Sequence, residues 1–116
     1  DENIEIFSKA DIDQMTETEL AVCKEAADKY NSMIKYQCTA CRYCMPCPQD
    51  LSIHIVIRHL NNWYAFDKNP SSKLEYTEWL DKHGSDCIHC HACEAKCPQR
   101  LPISDIMTDA EEQFGF

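Results

Sequence analysis

Glycine is almost missing from this chain: Gly84 and Gly115 are the only two in 116 residues. Neither lies in a cysteine-rich stretch, which argues against left-handed turns there, because glycine enters that backbone region without steric cost. Compact helical turns are the expectation for those stretches. No run of 18 apolar residues occurs, so nothing reads as a membrane span. No segment alternates apolar and polar side chains, so no half-buried strand is expected. No charged-then-apolar leader is visible. Basic residues are scarce, with 11 Lys and Arg against 20 Asp and Glu and a formal net charge of −9. The acid is spread rather than gathered in a tail: residues 1–37 hold nine acids and four bases, and the remainder eleven and seven. Nucleic acid is therefore not an expected partner, since its phosphates would be repelled. A basic patch on a partner protein would be attracted, and simple solubility is the plainer use of such a surface. No nucleophile–base constellation and no phosphate loop appears, so catalysis by this piece alone is not expected.

What the chain has is cysteine. Eight of its nine fall into two short runs, each ending in Cys-Pro. The first is Cys38-Thr-Ala-Cys41-Arg-Tyr-Cys44-Met-Pro-Cys47-Pro48. The second is Cys87-Ile-His-Cys90-His-Ala-Cys93-Glu-Ala-Lys-Cys97-Pro98. Three thiolates at every third residue can grip one face of an iron–sulfur cube, and a fourth, followed by proline, serves a second cube. This spacing leads to two [4Fe–4S] clusters. Cys38, Cys41, Cys44 and Cys97 are assigned to one, and Cys87, Cys90, Cys93 and Cys47 to the other. Two tetrahedral zinc sites would use the same number of ligands, but zinc sites commonly take separated Cys-x-x-Cys pairs. Disulfides fit poorly, because the count is odd and loops this short constrain little. A reducing, cytoplasmic setting follows.

The two runs belong to an internal repeat. Cys47-Pro-Gln-Asp-Leu-Ser-Ile53 aligns with Cys97-Pro-Gln-Arg-Leu-Pro-Ile103. The first run is one residue shorter before its last cysteine. If each half lends that cysteine to the other, neither completes a site alone, and metal binding becomes folding energy.

The rest reads as helices. Residues 1–15 show no clear period and form a linker, on which Ile4, Ile6 and Phe7 could dock; residues 16–116 form the domain. Thr16 and Glu19 make a capping box for a helix over 17–34, with Leu20, Cys23, Ala27, Tyr30 and Ile34 on an apolar face. Cys23 is read as buried. Ser52 caps a second helix facing inward through Ile53, Val56, Ile57, Leu60 and Tyr64. Asn69-Pro70 breaks it. Ser72 and Glu75 open a third helix through Tyr76, Trp79 and Leu80, which Gly84 stops as a left-handed residue. Pro102 begins a final helix with Ile103, Ile106, Met107, Ala110 and Phe114 inside and Gly115 at its end. The fold class is all-α, about four helices around two cysteine loops. Arg42 and Lys96 sit within the runs and can offset negative charge or simply be solvated. His89 and His91 flank Cys90 but are not needed as ligands. His54, His59 and His83 are assigned to helices without a special role. Trp63 and Trp79 are read as packing anchors.

The first run, with Arg42, Tyr43, Met45 and Pro46, and the second, from Asp86 to Ile103, resemble the iron–sulfur extension at the C-terminus of aldo/keto reductase-type oxidoreductases. The resemblance runs from the capped helix at Thr16 to the last helix. The shortening before Cys47 is a feature of that family. Ala40 stands where the family usually has glycine, and Ile53-His54 where it commonly has Ile-Pro. The resemblance implies an α-helical ferredoxin-like domain that relays electrons for a (β/α)8 barrel preceding it. A start at Asp1 without methionine fits a fragment, residues 1–15 being the connection to that barrel. A stand-alone soluble dicluster ferredoxin and a zinc-stapled interaction module are the alternatives.

Overall fold

The computed structural model describes residues 1–11 and 13–115; Ile12 and Phe116, which fall within the two segments delimited above, lie outside the described residues. Among the described residues there are five α-helices and no strand: α1 (Glu2–Ser8), α2 (Glu17–Met33), α3 (Ile53–Ala65), α4 (Pro70–Trp79) and α5 (Ile103–Phe114). Short 3₁₀ turns occupy Gly84–Asp86 and Glu94–Lys96. The chain divides into two compact units, Asp1–Ser32 and Met33–Phe116. Among the described residues no helix is long and apolar enough to cross a membrane.

The first unit holds α1 and nearly all of α2. Part of the segment read as a linker is thus a seven-residue helix. Its Ile4, Ile6 and Phe7 are exposed. The capping box that opens α2 is present: Thr16 N–H donates to Glu19 Oε2 at 2.8 Å, and Glu19 N–H to Thr16 Oγ1 at 3.3 Å. The apolar stripe has the expected period, yet no α2 side chain is buried. Cys23 is exposed, contrary to the sequence reading. Periodicity defines a face but carries no information about what covers it.

The second unit is built on α3, α4 and α5, which pack pairwise on one another. Its core comprises Leu51, Ile53, Val56, Ile57, Leu60, Tyr76, Ile103, Ile106, Met107, Ala110 and Phe114. Each large apolar side chain buried there contributes about 2 kcal/mol relative to exposure. Both copies of the repeat thus drive their isoleucine, Ile53 and Ile103, into the same core. The buried apolar residues of α5 are those its sequence period requires, with Ser104 buried beside them, and Gly115 ends that helix at φ 70°. Pro102 precedes the helix rather than opening it.

Four other expectations are corrected. The helix after Asn69 starts earlier than Ser72: Asn69 Oδ1 accepts Ser71 N–H at 3.0 Å and Pro70 is the first helical residue, where a missing N–H is harmless. Ser72 is buried in the helix interior instead. Trp79 is 78 % exposed and anchors nothing in the core, whereas Trp63 meets Phe114 edge-on at 5.4 Å. Gly84 is not a left-handed stop. Helix α4 ends at Trp79, and Gly84 is buried in the following 3₁₀ turn, with its N–H donating to the Tyr76 hydroxyl at 2.6 Å. A Cβ there would lie 2.3 Å from the Met107 carbonyl oxygen. Close approach of two backbones, not φ, demands glycine. His83 lies just before this turn and not in a helix.

The cysteine loops also differ from the compact helical turns expected. Ala40, Arg42 and Asp50 in the first half, and His89, His91 and Arg100 in the second, all have φ between 49° and 66°. These are equivalent positions of the repeat, so the two loops share one backbone path. Alternating left-handed residues bring successive N–H groups round to one side, the geometry of an anion-binding nest. Each such non-glycine residue carries a local cost of about 1 kcal/mol, which surrounding contacts must outweigh.

Two substitutions test these backbone demands in anaerobically purified protein. Gly84→Ala is expected to lower the urea midpoint by the equivalent of about 2 kcal/mol, because Met107's carbonyl cannot retreat cheaply. Ala40→Gly is expected to raise it by about 1 kcal/mol, since φ 54° suits glycine; a loss of stability would contradict the left-handed assignment.

Candidate metal centre

Both cysteine runs lie in the second unit, each leading into one of its three core helices. Cys47 leads through Leu51 into α3, and Cys97 through Leu101 into α5. The chain entering the first run is pinned beforehand. Asn61 on α3 clasps the Tyr36 backbone, its Oδ1 accepting the N–H at 2.9 Å and its Nδ2 donating to the carbonyl at 2.7 Å. Asp109 on α5 accepts hydrogen bonds from the hydroxyls of Tyr36 (2.6 Å) and Tyr64 (2.7 Å) and pairs with Lys35 at 2.9 Å. Burial opposes ionisation of Asp109, but those three donors outweigh it and hold the carboxyl below its usual range. Lys35 also lies 3.9 Å from the Tyr64 ring centre. Burial likewise opposes its charge, and its hydrogen bonds to Tyr64, Asp109 and Tyr36 prevail and push its pKa up. Position 38 is thus fixed against α3 and α5.

The second run is tied to α5 by a different device. Glu94 Oε1 accepts the Ser104 N–H at 2.8 Å, and its Oε2 lies 3.1 Å from His91 Nδ1. The Ser104 backbone N–H is the main reason that Glu94 titrates below its usual value. Ser104 Oγ also meets His91 Nδ1 at 3.2 Å. His91 is therefore not merely surface, although its ring remains largely exposed.

Two cavities lie between these elements. One is lined by Cys38, Cys41, Cys44 and Cys97, with His54 and Arg42 also on its wall, and has about 330 Å³ between atoms with its mouth included. The other is lined by Cys47, Cys87, Cys90 and Cys93, with Lys96 and Ser104, and has about 430 Å³. Cys44 stands on the wall of both. The fold thus brings Cys97 to the first triplet and Cys47 to the second. None of the nine cysteines is joined in a disulfide. Among the described residues, no three His, Cys, Asp or Glu side chains close on a point where a single ion would sit. The sulfurs surround a volume instead.

The donor set suits a soft, thiolate-bound metal group. Soft sulfur donors meet apolar walls, including Ile103 in both cavities and Ile57 or Ile53 in one each. Two of these thiols, Cys93 and Cys44, resist ionisation. Burial pushes Cys93 up to about 11. It also raises Cys44, with the neighbouring Cys38, Cys41 and Cys97 adding to the effect. Binding metal there must expel protons, so loading is favoured at higher pH. Arg42 and Lys96 are exposed yet line one cavity each, where either can offset negative charge.

His54 is the site residue that sequence reasoning missed. The available signal was the repeat: His54 and Ser104 are equivalent positions, each the second residue of its helix and each on the wall of a cavity.

A family model described as a 4Fe-4S dicluster domain matches residues 37–101. No curated protein and no solved structure matches the chain. The match takes in every cysteine of both runs and more than half of the sequence: this chain belongs to the 4Fe-4S dicluster domain family.

Proposed function

We propose that the chain is an electron relay in which Cys38, Cys41, Cys44 and Cys97 hold one [4Fe–4S] cluster and Cys47, Cys87, Cys90 and Cys93 the other. The observation that carries this reading is the crossed grouping of the cysteines: Cys97 joins the first triplet around one cavity, and Cys47, with Cys44 at the shared wall, joins the second triplet around the other. When bound, such clusters supply reversible one-electron storage. The chain's residues supply the setting. Cys44 borders both cavities, which supports close spacing of the two groups. Cys41 and Cys90, the middle cysteines of the triplets, are exposed and offer each site an edge toward a partner. Tyr43 and Ile88, beside those edges, are exposed as well. The acidic surface favours a partner with a basic docking patch.

The partner we favour is an upstream barrel of the aldo/keto reductase type, on the resemblance of residues 38–48 and 86–103, in a reducing cytoplasmic setting. A separate redox protein docking on a free-standing ferredoxin would use the same two edges.

Anaerobically purified protein is expected to contain about eight irons and about eight sulfides per chain, and to give interacting EPR signals on reduction. A colourless protein with stoichiometric zinc would end the proposal. Because each half completes the other's site, chelation is expected to abolish near-UV dichroism; metal-free protein with a native-like spectrum would disprove the link between binding and folding.

A further inference from the structure

We infer that His54 donates a hydrogen bond from Nδ1 to a sulfur of the group held by Cys38, Cys41, Cys44 and Cys97, and so sets that site's reduction potential apart from its neighbour's. The inference rests on the ligand quartets proposed above. His54 lines the cavity of those four cysteines. Its Nδ1 is shut off from solvent and has no hydrogen-bond partner in the protein. Buried polar atoms are almost always paired, so the missing partner is expected in the cavity that the ring borders. Thiolate and sulfide sulfur are the acceptors that a cluster brings there.

The repeat supplies an internal control. Ser104 occupies the equivalent place at the other cavity, and its polar atoms are already engaged, the N–H by Glu94 and the hydroxyl by His91. One half therefore has a polar side chain satisfied by protein, and the other half has one that is not. The second histidine with a partnerless Nδ1, His59, lies in the core 3.4 Å from Glu75, in a geometry that is not a hydrogen bond, and borders neither cavity. Burial, together with the charges of Arg42 and Arg58, favours the neutral His54 ring. A neutral imidazole has a single N–H, which goes where an acceptor waits. A donor at sulfur favours the more negative, reduced state and raises the potential.

The test compares wild type, His54→Leu and His54→Asn, all purified anaerobically, by redox titration followed by EPR. In H54L one of the two midpoints is expected to move negative while the other stays. In H54N, whose side-chain N–H stands near the place of Nδ1, most of that shift is restored. Pulsed EPR on reduced wild type labelled with ¹⁵N-histidine is expected to show a nitrogen coupling that H54N lacks. Full loading with about eight irons and about eight sulfides and unmoved midpoints would overturn the His54 assignment alone. Equal movement of both midpoints would overturn it too, as would absence of nitrogen coupling in the wild type. If H54L loads poorly, the wild-type coupling decides. Zinc in place of iron and sulfide would bring down the ligand quartets, and this inference with them.

Discussion

The exchange of a cysteine between two halves governs this structure. Cys97 stands with the triplet of the first run and Cys47 with that of the second. Each exchanged cysteine is followed by proline and then by a helix. Helices α3 and α5 are therefore brought side by side wherever the crossed grouping forms, and their first residues, Ile53 and Ile103, meet in one core. Helix α4 and the turn at Gly84–Asp86 complete that core through Tyr76, which packs on Phe114 and receives the Gly84 N–H. The apolar core of this unit is small, and burial alone supplies stability sparingly at this size.

The same constraint accounts for the backbone of the loops. Three residues of each half adopt positive φ at equivalent places although none is glycine. Local preference opposes this, and the loops adopt it because tertiary contacts around the cavity over-determine the path. The two halves then diverge in their supports. The first run is fastened by the Tyr36–Asn61 clasp and the Asp109 cluster, the second by Glu94 bridging to Ser104 and His91. The two copies of the repeat share the path of the chain, and different side chains hold it in place. The polar surroundings of the two cavities differ accordingly.

In the first unit, helix formation and burial part company. Thr16 and Glu19 cap α2 as their spacing demands, and Lys24 and Asp28 pair one turn apart along it. None of this needs a core. The exposed Leu20, Cys23 and Tyr30 show that a helix with good local signals can form while most of its stripe stays exposed.

Sequence alone determined whatever depends on neighbours along the chain or on ligand count. The eight clustered cysteines, the repeat, the all-helical class, the α2 cap and the inward face of α5 were all legible, because spacing and period are local properties. Tertiary structure decided the rest. Gly84 serves close packing against Met107, a contact 23 residues away that no local turn rule contains. The left-handed loops were concealed by the lack of glycine, since residues of any type can be held there by long-range contacts. His54 looked unremarkable because a polar atom's missing partner becomes visible only once the atoms around it are in place. Trp79 and Cys23 were misjudged for the converse reason: hydrophobic character favours burial, and only the packed chain determines whether a covering surface exists.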